Sequence, residues 1–154
     1  MELLKQLSDN LIKRTDTRYA RYMYHQIPWK NRMTALVGPR GVGKTTLLLQ
    51  YIKQNLKLKD TLYVSAESIY FANHTLFETA MKFNQLGGKH LFIDEIHKYK
   101  GWATELKMIY DNLREEIHST FMVSLVAEPF NNTLVHIFKI SIIPNKRNLI
   151  NKNT

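Results

Sequence analysis

The chain has 154 residues, enough for one domain with a buried core, and its 44% hydrophobic and 23% charged residues are ordinary for a globular protein. It has no cysteine, which excludes a disulfide framework and a thiolate metal site. The net charge of +9 is uneven, since residues 1–59 hold 12 Lys/Arg against 3 Asp/Glu, and such a basic region suits polyphosphate or nucleic acid unless it is only a solvated face.

The N-terminal 32 residues are predicted to be helical and basic. A short amphipathic helix is predicted over residues 1–14, with one apolar stripe made of Leu3, Leu4, Leu7 and Leu11. Four aromatic side chains that follow would pack between elements or stack on a nucleic-acid base: Tyr19, Tyr22, Tyr24 and Trp29. We expect no signal peptide, and no apolar run reaches the roughly 20 residues that span a membrane, so the predicted location is the cytoplasm.

Apolar runs and helical stripes alternate through the rest of the chain. Strands are predicted at 33–37, 61–65, 90–94 and 120–126, with an edge strand at 134–143 before a basic tail. A helix should follow residue 44, and Thr75 with Glu78 predicts a capping box that opens another through Phe83. A last helix is predicted from the stripe Trp102, Leu106, Ile109, Leu113 and Ile117. This order predicts a three-layer α/β/α sandwich around a mostly parallel sheet.

The first strand runs into "GPRGVGKTT", residues 38–46, which fits the phosphate-loop pattern. Glycines let successive backbone N–H groups turn inward toward phosphate oxygens, and the following helix adds its positive end. Lys44 would bridge the β- and γ-phosphates, and the Thr45 hydroxyl would hold Mg²⁺. The residues expected to contact the nucleotide are Gly38, Arg40, Gly41, Val42, Gly43, Lys44, Thr45 and Thr46.

The third predicted strand ends in an acidic pair, "LFIDEIH", residues 91–97. Asp-Glu after an apolar run is weak on its own, but here it follows a phosphate loop by about 50 residues. Asp94 would hold Mg²⁺ opposite Thr45, and Glu95 would orient and deprotonate the attacking water, with Lys44 as the other catalytic residue. His97 has no second histidine or cysteine at metal-ligand spacing, so it is interpreted as a polar residue that follows the strand.

With both motifs in place, the chain resembles the prokaryotic AAA-type P-loop ATPases, in the branch that often has a further C-terminal domain. The likeness covers roughly residues 18–114 and is strongest in "GPRGVGKTTLLLQYI" and "DEIHKYKGWATELKMIYD". It implies the roles already given for Lys44, Thr45, Asp94 and Glu95. The predicted division is an N-terminal segment packed on the core at 1–32, a P-loop ATPase core at 33–128, and a divergent strand and tail at 129–154.

The resemblance also predicts parts that this sequence lacks. A Thr-Gly-Ser-Ser-like sensor should end the fourth strand, but the sequence there is "FMVSLVAEPFNN", in which Ser124 is the nearest candidate. No helical lid or arginine finger is recognisable, although a neighbouring subunit of a homo-oligomer could supply the arginine. We expect the chain to be a truncated or frame-shifted member of the family, or a fragment of a longer gene product.

The expected function is Mg²⁺-dependent ATP binding, with ATP and ADP as ligands and hydrolysis that is slow or absent in isolation. An alternative is a nucleic-acid-binding module that uses the basic N-terminal third, with nucleotide as regulator, or a domain that acts with a protein partner. GTP is a weaker option, because the sequence has no guanine-reading Asn-Lys-x-Asp stretch.

Overall fold

The computed structural model describes residues 1–20, 22–113, 120–126 and 139–142. Its helices are α1 (Glu2–Arg14), α2 (Lys44–Asn55), α3 (Leu76–Gln85) and α4 (Trp102–Asn112). Its strands are β1 (Met33–Val37), β2 (Thr61–Ser65), β3 (His90–Asp94), β4 (Thr120–Leu125) and β5 (Lys139–Ile142). Single turns of 3₁₀ helix lie at Tyr22–Gln26, Leu58–Asp60, Ile69–Ala72 and Ile96–Lys98.

The five strands form one sheet in the order β2-β3-β4-β1-β5, and every neighbouring pair is parallel. Strand β4 therefore lies between β1, which leads into the phosphate loop, and β3, which ends in Asp94. The register pairs Ser65 with Asp94 and Val37 with Leu125, so the carboxyl ends of these strands lie side by side at one end of the sheet. In open parallel sheets ligands bind at that end.

Both faces of the sheet are covered, which confirms the three-layer α/β/α prediction. Alternate strand residues point to opposite faces, so each face has its own core. On one face, Val64 and Ile93 pack with Leu76 of α3 and Leu106 of α4. On the other face the fully buried residues include Leu36 of β1, Leu47 and Leu48 of α2, and Phe92 of β3.

Helix α3 begins as the sequence predicts. The Thr75 hydroxyl accepts a hydrogen bond from the Glu78 amide at 3.0 Å, and the Glu78 carboxylate accepts one from the Thr75 amide at 3.1 Å. This capping box satisfies two backbone donors that the first turn leaves without partners. The helix extends to Gln85, two residues past the predicted end at Phe83.

Helix α1 forms, but the prediction of its apolar stripe is wrong. Leu3, Leu7 and Leu11 are 69%, 58% and 43% exposed, whereas Leu4 and Ile12 are buried, as is the Ser8 between them. The reason is the position of the helix beside the edge strand β2. Leu4 joins the core of one sheet face and Ile12 that of the other.

Ser8 is the point at which α1 covers this edge of the sheet. Its hydroxyl accepts a hydrogen bond of 2.9 Å from the Tyr63 amide of β2. An edge strand otherwise presents unpaired backbone groups, and covering it with a helix prevents it from pairing with another chain.

Two predictions fall largely outside the described residues: the position of Ile117 and most of the strand predicted at 134–143. Within that stretch, β5 forms at the edge of the sheet, as predicted.

Candidate functional site

The phosphate loop joins the end of β1 to the start of α2. Gly41 and Gly43 adopt positive φ angles of 75° and 93°, a conformation that residues with a Cβ rarely adopt. A Cβ added at Gly41 would meet nothing within 4 Å, so the backbone conformation, not lack of space, requires glycine there. Gly43 is the N-cap of α2, so the loop ends at the positive end of a twelve-residue helix.

Lys44 lies inside the loop and is only 4% exposed. Its ammonium group donates hydrogen bonds to the carbonyl oxygens of Gly38 at 2.8 Å and Pro39 at 2.9 Å. Burial lowers the pKa of Lys44, and the negative charges of Glu95 and Asp94 partly oppose that shift. The structure therefore places the lysine charge between the loop backbone and the acidic pair.

The other predicted loop residues differ in exposure. Val42 is buried against the core on the α2 side of the sheet. Arg40 and Thr46 are exposed, on the outer turn of the loop and in the first turn of α2. A nucleotide could reach their side chains without displacing a core residue.

Asp94 stands opposite the loop and is 2% exposed. Its Oδ2 accepts hydrogen bonds from the hydroxyl of Thr45 and, at 2.7 Å, from the hydroxyl of Tyr63. Its Oδ1 accepts from the hydroxyl of Ser124 and, at 3.1 Å, from the amide of Glu95. The carboxylate is thus held by donors from α2, β2 and β4, which is how a buried charge is compensated.

The sequence predicts one of these donors, Ser124, but not another, Tyr63. Ser124 is the sensor candidate, and the strand order brings it to Asp94 because β4 lies next to β3. Tyr63 was not predicted at all. Nothing in "TLYVS" marks it as a polar contact, because its ring is buried as a core residue would be and only its hydroxyl reaches Asp94. Burial, and then the charge of Asp94, raise the pKa of Tyr63, so it stays a hydrogen-bond donor at neutral pH.

The oxygen atoms of Thr45 and Asp94 suit Mg²⁺, which prefers oxygen ligands and usually keeps several waters and phosphate oxygens in its shell. In the described part of the chain there is no group of three or more His, Cys, Asp or Glu residues that could form an all-protein metal site. A hydroxyl and one carboxylate across a phosphate loop fit a cation that arrives with its nucleotide.

Glu95 follows the strand in a left-handed conformation, with φ 52°, the one non-glycine residue with positive φ in the described ranges. Its amide donates to Asp94 and also to the Ser124 hydroxyl at 3.1 Å. Its side chain is 23% exposed, and its Oε2 lies 3.3 Å from Nε2 of His97. His97 has no role in the sequence pattern, yet in the structure it lies against the predicted base.

Three aromatic residues pack together beside the core on the α2 side of the sheet. The Trp29 and Tyr51 rings are stacked with centroids 4.1 Å apart and planes 4° apart, and Tyr24 lies 5.4 Å from Trp29. These rings serve inter-element packing. Tyr19 and Tyr22 instead are 82% and 57% exposed.

Among the helices in the described ranges, none has the length and apolarity that crossing a membrane requires.

Comparison with known proteins gives one family and several similar structures. The family model described as "AAA domain" matches residues 30–130. The zinc import ATP-binding protein ZnuC of Vibrio vulnificus is 30% identical over 101 aligned residues, covering 49% of this chain and 38% of ZnuC. The chain thus spans well under half the length of this relative.

Two solved structures show the same fold. The match to the structure of C. elegans PCH-2 covers 93% of this chain and 41% of the PCH-2 chain, with 16% identity and a TM-score of 0.56. The match to a structure that describes the basis of katanin self-assembly covers 94% of this chain and 50% of the katanin chain. The identity is 18% and the TM-score is 0.54. At such identities the likeness concerns the fold alone.

Proposed function

The chain belongs to the AAA domain family as an ATP-binding P-loop domain, and from that premise we propose that it binds ATP with Mg²⁺ and, in isolation, hydrolyses it slowly or not at all. The observation that supports this most is the hydrogen bond between Thr45 and Asp94, which are 49 positions apart in the chain. It sets the start of the phosphate-loop helix directly against the acidic end of β3. A triphosphate in the loop would therefore lie beside a carboxylate.

The loop would bind the phosphates through backbone N–H groups and the positive end of α2. The Lys44 ammonium would exchange the carbonyl oxygens of Gly38 and Pro39 for the β- and γ-phosphate oxygens. The ammonium is charged in both sets of hydrogen bonds, but the phosphate oxygens also carry negative charge, so the exchange favours the bound nucleotide. Gly41 and Gly43 allow the loop to follow the phosphates closely.

Thr45 and Asp94 would hold Mg²⁺, which neutralises the charge that develops on the β- and γ-phosphates. Tyr63 and Ser124 keep the Asp94 carboxylate oriented toward Thr45. Glu95, on the solvent side of this pair, would accept a proton from the attacking water. This division of roles follows from exposure, since Asp94 is buried while Glu95 is partly open to water.

Slow hydrolysis is proposed because fast transfer of the phosphate needs an arginine in addition to Lys44 and Mg²⁺. An arginine finger contributes about 10³–10⁵ in rate. Two arginines of this chain are engaged elsewhere, Arg18 with Asp16 and Arg32 over the ring of Tyr110. A neighbouring copy in a homo-oligomer would be the source of the missing charge.

Isothermal titration with ATP and ADP, with and without Mg²⁺, tests the proposal. We expect binding that requires Mg²⁺ for full affinity and that Lys44→Ala abolishes or greatly weakens. Lys59→Ala is the matched control, because it removes the same charge from an exposed position past the end of α2. Equal binding by the Lys44→Ala and Lys59→Ala proteins would contradict the proposed role of the loop.

A second candidate function, binding of single-stranded nucleic acid, is supported by the surface of residues 13–20 and 22. Lys13 and Arg14 are exposed there beside the exposed rings of Tyr19 and Tyr22. Cations that neutralise phosphates and rings that stack on bases are the two requirements for such binding.

This surface is attached to the phosphate-loop helix. Gln50 of α2 donates to the carbonyl oxygens of Asp16 and Tyr19 at 2.9 and 2.8 Å, and Lys53 donates to those of Lys13 and Thr15 at 2.8 and 2.7 Å. Nucleotide bound at the start of α2 could therefore influence it.

Binding of a labelled single strand at several salt concentrations tests this second function. Replacing both Lys13 and Arg14 with alanine should reduce the slope of log affinity against log salt by about 1.4, for two phosphate contacts. Survival of the binding in Lys44→Ala would make it independent of nucleotide. A slope that the double substitution leaves unchanged would exclude this surface.

A further inference from the structure

We propose that His97 is a positioning residue for Glu95: its imidazole, anchored to the end of β4, donates a hydrogen bond that holds the Glu95 carboxylate in place. The inference rests on the proposed function of Glu95 as the residue that activates water. It assigns a role to a histidine that the sequence pattern left without one.

The contacts of His97 fix which ring nitrogen bears the proton. The amide of Val126 lies 3.4 Å from Nδ1, and a backbone N–H can only donate. Nδ1 must therefore be the acceptor, which leaves Nε2 as the protonated nitrogen of the neutral ring. That nitrogen is 3.3 Å from Oε2 of Glu95, so the ring presents a donor to the carboxylate.

The Glu95 backbone is already fixed, but its carboxylate has only this one described contact to limit rotation of the side chain. Its amide is bonded to Asp94 and Ser124, and its φ angle of 52° directs the chain out of the strand. A hydrogen bond from His97 to Oε2 leaves Oε1 to accept from a water. A base held by a third group in this way is the usual arrangement for an activated nucleophile.

The end of β4 therefore contacts both acidic residues. Ser124 is in β4, and Val126 directly follows the last residue of that strand. Ser124 bonds directly to Asp94 and to the Glu95 amide, while Val126 reaches Glu95 through His97. The imidazole is 15% exposed, so it is confined between these partners.

Three substitutions separate the two contacts of the ring. His97→Ala removes both of them. His97→Asn keeps an acceptor near the position of Nδ1, facing Val126, and loses the donor to Glu95. His97→Gln places an amide N–H near the position of Nε2, facing Glu95, and loses the acceptor.

Steady-state phosphate release over hours, with labelled ATP in excess of protein and at several ATP concentrations, gives kcat and KM for each of these proteins. We expect kcat to fall on the order of 10²-fold in His97→Ala and His97→Asn, with KM nearly unchanged, and to recover largely in His97→Gln. The same His97→Ala change in a Glu95→Gln background should have little further effect. Unchanged kcat in His97→Ala, or rescue by asparagine instead of glutamine, would overturn the proposal.

A second measurement does not need turnover. Long-range proton–nitrogen NMR correlations of the unaltered protein should show His97 as the Nε2-protonated form, and protonation at Nδ1 instead would overturn the proposal. If the unaltered protein binds ATP but releases no phosphate in isolation, the result agrees with the proposed function and leaves the kinetic comparison without a signal. Failure of the proposed function would appear instead as an absence of ATP binding. The protonated nitrogen would still decide whether His97 holds the Glu95 side chain.

Discussion

Replacing Tyr63 with phenylalanine removes one hydroxyl from the donors around Asp94 and leaves the buried ring in place. The Tyr63 hydroxyl donates to Asp94 Oδ2 at 2.7 Å, and the two residues are 6% and 2% exposed. Burial and the charge of Asp94 raise the pKa of Tyr63, so the unaltered protein has this donor at any pH near neutrality. The substitution therefore tests one hydrogen bond to a buried carboxylate.

The expected loss follows from the donors that remain. A hydrogen bond to a charged group contributes about 1.5–3 kcal/mol to stability. After the substitution, Asp94 keeps the hydroxyls of Thr45 and Ser124 and the amide of Glu95. We therefore expect the lower end of that range, a decrease of about 1.5 kcal/mol in the free energy of unfolding.

Urea denaturation of the nucleotide-free protein measures this loss. The midpoint should fall in Tyr63→Phe while the slope m stays constant, because the surface exposed on unfolding is the same. Tyr19→Phe is the control, since Tyr19 is 82% exposed and should give no change. Equal midpoints for Tyr63→Phe and the unaltered protein would refute the view that Tyr63 stabilises Asp94.

Three further predictions concern α1, the acidic pair and α3. Ser8→Ala leaves the buried Tyr63 amide without its partner and should cost about 1–3 kcal/mol in urea denaturation; an unchanged midpoint would mean that α1 does not protect the sheet edge. Glu95→Gln should keep nucleotide binding and lower turnover by about 10²–10⁴-fold, whereas equal phosphate release would show that Glu95 is not the base. The Thr75 amide, and then its hydroxyl, hold the pKa of Glu78 below its usual value, so the stabilisation exists above the unfolded pKa and disappears as pH falls through the folded one. The stabilities of the unaltered and Glu78→Gln proteins, measured from neutral to acidic pH, should therefore begin to converge as the pH falls below the usual pKa of a glutamate carboxyl, about 4.3, and a constant difference would contradict the capping role.

The sequence predicted best those features that depend on local pattern. Strands β1, β2 and β3 begin and end at the predicted residues, because a sheet covered on both faces needs uninterrupted apolar runs bounded by polar or glycine-rich stretches. The capping box at Thr75 depends on four consecutive residues and also formed. Residues Gly38 to Gly43 lie between β1 and α2, and Lys44 to Thr46 form the first turn of α2, as the motif requires.

Features that depend on which elements become neighbours were missed or misjudged. The stripe on α1 was wrong because the helix crosses a sheet edge and buries residues toward both faces, an arrangement that periodicity alone does not reveal. Tyr63 reaches Asp94 because β2 pairs with β3, and His97 gains its contact with Val126 because β4 is the other neighbour of β3. No spacing in a single sequence specifies that strand order.

The central claim is that the loop at the start of α2, facing Asp94, binds a magnesium nucleotide, and thermal unfolding tests it most directly. Ligand at 100 times its dissociation constant stabilises a folded protein by about 2.7 kcal/mol, which for a chain of this size raises the melting temperature by roughly 5–10 °C. We predict such a rise with millimolar Mg-ATP, a smaller rise without Mg²⁺, and none in Lys44→Ala. A folded, unaltered protein whose melting temperature does not change with Mg-ATP would contradict the claim.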